Sequence, residues 1–177
     1  MRVVQILPEL NEGGVERGVV ELNREFVRRG IENFVISNGG KLAPKIEKDG
    51  GVHVQLDVCS KNILSVAARV LKLRKILSRI APDIVHVRSR VPAWLVKFAH
   101  PKAKIVFVGP CSAKKLEAMR RSVKSEVDFV LTFEELAGMM EAKGIAFESL
   151  ADDKSDFEAS SRDGRGFAVS GGVATAV

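Results

Sequence analysis

The chain contains no Tyr, a single Trp and only two cysteines. The two cysteines, Cys59 and Cys111, lie in different segments and form no CxxC pair, which argues against a disulfide framework. Long apolar runs are also missing, and none approaches the roughly 20 residues that a spanning helix requires. The opening stretch, MRVVQILPELNEGG, has no charged lead, long apolar core or small-residue cleavage site. No signal peptide is therefore expected, and the default location is cytoplasmic. With no Tyr, no aromatics interleaved among basic residues and no reader motif, nucleic-acid binding is not expected either.

What is present fits a soluble globular chain. Its 177 residues are 46% apolar and 28% charged, enough for one domain or at most two small ones. The net charge of +6 is uneven: residues 1–100 carry 17 Lys/Arg and 10 Asp/Glu, whereas residues 101–177 carry 11 and 12. His53, His86, His100 and Trp94 all fall in the first part. This shift points to a join near residue 100.

Strand and helix signals alternate at short spacing through the first hundred residues, as in parallel βα units. Strands are expected at Val3–Leu7, Phe34–Ser37, Val52–Val58, Ile84–Val87, Ile105–Val108 and Asp128–Leu131. Helices are expected at Val15–Arg29, Leu42–Lys48, Ile63–Ile80, Ala93–Ala99, Ser112–Lys124 and Phe133–Lys143, with Gly30 and Gly144 as stops. In the first helix Val15, Val19, Val20, Leu22, Phe26 and Val27 form the apolar stripe; Pro92 suits a first helical turn. The pattern predicts an α/β, Rossmann-like, doubly wound fold. Its sheet is mostly parallel, of about six strands, with helices on both faces and a less ordered C-terminal tail. Residues 1–100 form the first group of βα units, residues 101–148 a βαβα extension of the same sheet, and residues 149–177 an acidic loop and glycine-containing tail.

Gly13–Gly14, between the first strand and first helix, brings free backbone amides and a helix's positive end toward a ligand, which favours phosphate or carboxylate. Arg17 adds a charge in the first turn. The turn is neither GxGxxG nor a P-loop, and a tight βα turn that needs small residues explains it equally well. His86 reads either as a site residue or as a satisfied residue of a buried strand. Arg88 and Arg90, on one side of an extended segment, suit a phosphate-bearing acceptor, with solvated loop arginines the alternative. Arg69, Lys72, Lys75 and Arg79, with Arg74 beside them, line one side of the Ile63–Ile80 helix. A peripheral contact with an anionic membrane is the sharp reading of that stripe, and a solvated face the plain one.

LPELNEGGVERGVVELNREFVRRG, FVISNGG and PDIVHVRSRVPAW, in this order, resemble the N-terminal lobe of family 4 glycosyltransferases of the two-Rossmann-domain, GT-B type. Within that group the likeness is to enzymes of lipopolysaccharide or capsule assembly. The resemblance covers about residues 1–100. It implies an acceptor-receiving lobe whose cleft is lined by Gly13, Gly14, Glu16 and Arg17 and by His86, Arg88, Ser89 and Arg90. It also implies a nucleotide-sugar donor held mostly by a second lobe, which is not recognised in this sequence.

KIVFVGPCSAKKLEA, VDFVLTFEELAGMMEAKGI and GRGFAVSGGVATAV resemble a C-terminal fragment of the iron-only hydrogenase large subunit, over about residues 101–177. By that resemblance Cys111 matches a thiolate ligand of an iron–sulfur cubane, Lys114 a contact of the cyanide-bearing iron subsite and Glu117 part of a proton route. Gly171 and Gly172 match a glycine pair near the cluster. A cubane takes four cysteine ligands, and this segment offers one. Cys111 is thus expected to be an unmetallated thiol, and no cofactor is expected beyond the nucleotide sugar or iron–sulfur cluster that the resemblances imply.

The whole reads as chimeric: a Rossmann-like protein with an acceptor- and phosphate-binding lobe and no complete catalytic site of its own. Two alternatives stay open. One is an acceptor lobe working with a separate donor-binding lobe on a sugar-phosphate or lipid-linked acceptor, placed at the inner face of the membrane. The other is a non-enzymatic protein that binds a protein partner. An iron-only hydrogenase relative holding a cluster ranks last. If the chain is an enzyme, it is a glycosyltransferase component.

Overall fold

Short β-branched runs bounded by glycine loops give strands, and stripes repeating every three to four residues give helices, in strict alternation. The computed structural model describes residues 1–60, 65–109, 112–119, 127–146 and 149. It divides into two units, Met1–Ala103 and Lys104–Val177. The first holds β1 (Arg2–Ile6), α1 (Gly14–Arg28), β2 (Glu32–Ser37), α2 (Ala43–Lys48), β3 (Val52–Gln55), α3 (Val66–Ile80), β4 (Ile84–Val87) and α4 (Arg90–Ala99). The second holds β5 (Val106–Val108), α5 (Ala113–Met119), β6 (Phe129–Leu131) and α6 (Phe133–Ala142).

In the first unit four parallel strands lie in the order β3-β2-β1-β4. Alternation along each strand separates two cores. Val4, Ile6 and Ile36 face Leu73, Leu77, Leu95 and Ala99 of α3 and α4. Leu7 and Val35 face Val19, Val20 and Ile46 of α1 and α2. Helices therefore cover both faces of the sheet, which is the doubly wound, Rossmann-like α/β arrangement.

Local deviations have local causes. The third strand ends at Gln55, earlier than the expected Val58, because the Asp57 carboxylate accepts from the amides of Cys59 (3.0 Å) and Ser60 (2.9 Å) and turns the chain. Leu56 and Val58 still bury into the core beyond the strand. In α1 the buried positions are Val19, Val20 and Asn23, while Val15, expected on the apolar stripe, is exposed. Residues 63 and 64 of the expected Ile63–Ile80 helix lie outside the described residues, and α3 starts after Ser65 as N-cap. Helix α4 begins at Arg90, so Pro92 falls within its first turn, where the helix has no use for its N–H.

In the second unit β5 and β6 pair in parallel. Both ends of that ladder are closed within the pair: Gly109 donates to the Leu131 carbonyl at 3.1 Å and Asp128 to the Ile105 carbonyl at 2.9 Å. The Asp128 carboxylate adds a bond from the Ile105 amide at 2.8 Å. The expected six parallel strands are thus present, but they are hydrogen-bonded as four and two rather than as one sheet. Among the described residues β5 is paired with β6 alone. Thr132 and Glu135 form a capping box at the start of α6. Of the expected tail at 149–177, all but Ser149 lies outside the described residues.

Candidate functional site

Strand order makes the site. From β1 the chain passes through α1 to β2 on one side, and from β3 it crosses through α3 to β4 on the other. The loops leaving β1 and β4 therefore diverge to opposite faces at the carboxyl ends of two neighbouring strands, the position where open α/β sheets bind ligands. Gly13, Gly14, Glu16 and Arg17 follow β1, while Arg88, Ser89 and Arg90 follow β4.

On the β1 side, Gly13 is the N-cap of α1 in an extended conformation, and no side chain caps the helix. The first-turn amides are thus left to a ligand or solvent. Gly14 has open space where a side chain would be, whereas a Cβ at Gly13 would meet the Glu16 carboxylate. Glu16 therefore folds back over Gly13 and places its charge against the positive helix end. Arg17 is exposed. A second glycine pair, Gly39–Gly40, supports this loop. Leu10 donates to the Gly39 carbonyl (2.8 Å), Leu42 to the Leu10 carbonyl (2.7 Å) and Asn38 to the Pro8 carbonyl (2.9 Å). Gly40 has φ +141°, and a Cβ there would lie 2.5 Å from the Leu10 carbonyl carbon and oxygen. Only glycine permits that approach.

On the β4 side, His86 pairs in register with Gln5, so both side chains lie on the α1 face of the sheet. The Arg88 amide extends the ladder by donating to the Ile6 carbonyl at 2.9 Å. Its guanidinium runs under α1, with Nη1 3.9 Å from a Cβ position built on Gly18. Arg88 Nε is buried without a hydrogen-bond partner among the described residues. Burial holds the Arg88 guanidinium below its ordinary pKa. Burial, and then the Arg88 charge, hold His86 below the usual imidazole value. Ser89 caps α4 through its extended backbone, without a side-chain cap bond, and Arg90 opens the helix. The two expected groups thus follow neighbouring strands, and Arg88 reaches α1 at Gly18.

The structure adds a buried polar layer on the α1 face of the sheet that the sequence pattern does not predict. Gln5 Nε2 donates to the Val19 carbonyl (3.4 Å) and Asn33 Oδ1 (3.5 Å), while Gln5 Oε1 is buried and unpaired. Asn33 Nδ2 donates to Asn23 Oδ1 (2.8 Å), and Asn23 Nδ2 to the Ile46 carbonyl (3.1 Å). Ser37 Oγ and His53 Nε2 are 2.9 Å apart, and the Gly39 amide donates to that same Oγ at 3.1 Å. Burial lowers the His53 pKa, with Glu47 opposing. The available signal was a polar residue inside each apolar run, Gln5 in VVQIL and Asn33 in ENFVIS.

In the second unit Lys114 and Glu117 form an ion pair along α5. Cys111, Gly171 and Gly172 lie outside the described residues. An iron–sulfur cubane does not fit this donor set. The chain has two cysteines where four thiolates are needed, and Cys59 sits in the Asp57 turn of the other unit. No group of three or more His, Cys, Asp or Glu suited to a metal occurs among the described residues. Among those residues, no helix is long and apolar enough to cross a membrane.

The fold defines a Rossmann-like α/β protein. Family models place it further: the model of Glycosyltransferase Family 4 matches residues 12–109, and that of the iron only hydrogenase large subunit, C-terminal domain, matches residues 71–177. The chain belongs to both families, its front to the first and its back to the second, with the two matches overlapping at 71–109. A solved glycosyltransferase from Rickettsia africae superposes with a TM-score of 0.57 at 22% identity, covering 82% of this chain and 50% of that one. The cytosolic Fe-S cluster assembly factor NAR1 of Kluyveromyces lactis is 34% identical over 82 residues, 45% of this chain and 18% of that protein. The chain thus spans half of the glycosyltransferase structure and under a fifth of the assembly factor.

Proposed function

We propose that the Met1–Ala103 unit is an acceptor- and phosphate-binding lobe for glycosyl transfer, with donor contacts supplied from outside the described residues. The observation that carries this reading is Arg88. A guanidinium whose Nε is buried and unpaired, at the end of β4 and under the uncapped helix α1, is a charge that an incoming anion would complete. Gly13 and Gly14 would offer amides to the same anion, Glu16 would accept from a sugar hydroxyl, and Arg17, His86, Ser89 and Arg90 would line the crevice. The glycosyltransferase match over 12–109 supports sugar chemistry as the setting. Calorimetric titration with inorganic phosphate and with a nucleotide diphosphate tests it. Saturable binding that is lost in Arg88→Gln is expected. Heat signals unchanged by Arg88→Gln would sink the assignment.

We further propose that the chain is a join of two α/β lineages without a complete catalytic site of its own. Two family matches that meet at 71–109 support this. A transcript that reads through those codons in one frame is expected. A frame change there would assign the halves to separate products.

A further inference from the structure

We propose that His53 is a proton-operated latch on the Gly39–Gly40 loop: its neutral ring holds the loop through Ser37, and its protonation lets the loop go. Ser37, the last residue of β2, is fully buried. Its Oγ accepts from the Gly39 amide at 3.1 Å and lies 2.9 Å from Nε2 of His53 on β3. Among the described residues no other acceptor bonds the Ser37 hydroxyl, so the hydroxyl donates to Nε2. The ring is therefore neutral, with its proton on Nδ1. A proton added at Nε2 would turn that nitrogen into a donor. Oγ would then accept twice, and its own hydrogen, buried, would have no acceptor. Ser37 can recover one only by giving up Gly39.

Gly39 ties this pair to the loop that leaves β1. While its amide is held by Ser37, its carbonyl accepts from the Leu10 amide at 2.8 Å, three residues before the Gly13 N-cap of α1. The backbone of Gly39 sits at φ +89° and that of Gly40 at φ +141°, so the loop depends on these bonds for its shape. The charges around the ring are few. On its face of the sheet β2 presents Asn33, Val35 and Ser37, none of them ionisable. The helix α2 carries Lys45, Glu47 and Lys48, and Asp49 at its end is paired with Arg24 of α1 at 3.4 Å. Of these, Glu47 acts on the ring and favours its charged form, against the larger effect of burial. What release does to a ligand rests on the crevice reading above: with the latch open, the Leu10–Gly13 segment no longer holds the α1 amides against an anion.

The test is nuclear magnetic resonance on the full chain across the titration of the His53 ring. Above its midpoint the ring nitrogens should report the neutral Nδ1–H form. Below it, protection of the Gly39 and Leu10 amides from hydrogen exchange, corrected for the intrinsic pH effect, should fall about two- to tenfold, the worth of one net hydrogen bond. His53→Gln keeps an acceptor for the Ser37 hydroxyl and cannot titrate, so protection should stay high and flat with pH. An Nε2–H ring in the parent, protection unchanged through the ring's titration, or the same fall in His53→Gln would each overturn the proposal. The first two outcomes need no variant to fold. Sulfate, which does not titrate in this range, serves as the anion probe. It should bind His53→Gln more tightly than the parent below the midpoint and equally above it. Equal affinities throughout would overturn the coupling to the crevice. Sulfate binding to neither protein at any pH would instead count against the crevice reading, with the exchange data still deciding the latch.

Discussion

Replacing Arg88 with methionine should stabilise the protein while abolishing its response to anions. In the anion-free protein the Arg88 Nε is buried without a partner, and burial disfavours its charge. Leaving a buried polar group unsatisfied costs about 1–3 kcal/mol. Methionine keeps most of the apolar stem beneath Gly18 and removes that cost. For a unit the size of Met1–Ala103, about 1 kcal/mol corresponds to roughly 4–8 °C in Tm. Arg88→Met should therefore melt about 4–24 °C above the parent in phosphate-free buffer. Phosphate acts the other way: at a hundred times Kd it stabilises only the parent, by about 2.7 kcal/mol, and so offsets most or all of that lead. Two thermal melts, followed by circular dichroism with and without phosphate, read both effects. A variant that melts lower than the parent without phosphate would mean that Arg88 is already satisfied. Equal phosphate shifts in both proteins would place the anion elsewhere.

Gly40→Ala should destabilise by at least about 1–3 kcal/mol from its φ alone, with the Leu10 clash adding to it; urea unfolding measures this. Ala81, the C-cap of α3, has φ +50° and is the sole non-glycine at positive φ among the described residues. Ala81→Gly should therefore stabilise by about 0.5–1 kcal/mol, and a lowered Tm would refute that reasoning. His86 and His53 are both held below the ordinary imidazole value. The unfolded imidazoles take up protons near pH 6.5 or so while the folded ones wait for lower pH. Stability should thus fall as pH drops below about 6.5. His86→Gln should flatten part of that slope in a pH series of urea melts, and an unaltered slope would remove His86 from the explanation.

Much of the fold was legible locally. Val3–Leu7, Ile84–Val87 and the long helix ending at Ile80 were written in apolar runs and stripes, because period and breaker residues act over a few positions. The Thr132–Glu135 capping box was equally legible in LTFEE but was not read. The Gly13–Gly14 turn and the Arg88 segment were legible as candidate residues of one cleft, though the course of the Arg88 side chain under α1 was not. Arg69 was misplaced on the outer stripe, and Trp94 and Phe98 went unread as surface residues. Helical period assigns residues to a side, but only packing decides which side is covered.

The sequence by itself determined the strand–helix alternation, the concentration of positive charge between residues 60 and 103, and the resemblance to two families. The tertiary structure alone decided three other things. Among the described residues it paired the six strands as a group of four and a group of two. It buried the Gln5–Asn33–Asn23 layer beneath α1. It also carried the Arg88 side chain under that helix, with Nε unpartnered among the described residues. Each depends on groups far apart in the chain. Their pairing is fixed by strand order and by the demand that buried polar atoms find partners, and no local pattern encodes either.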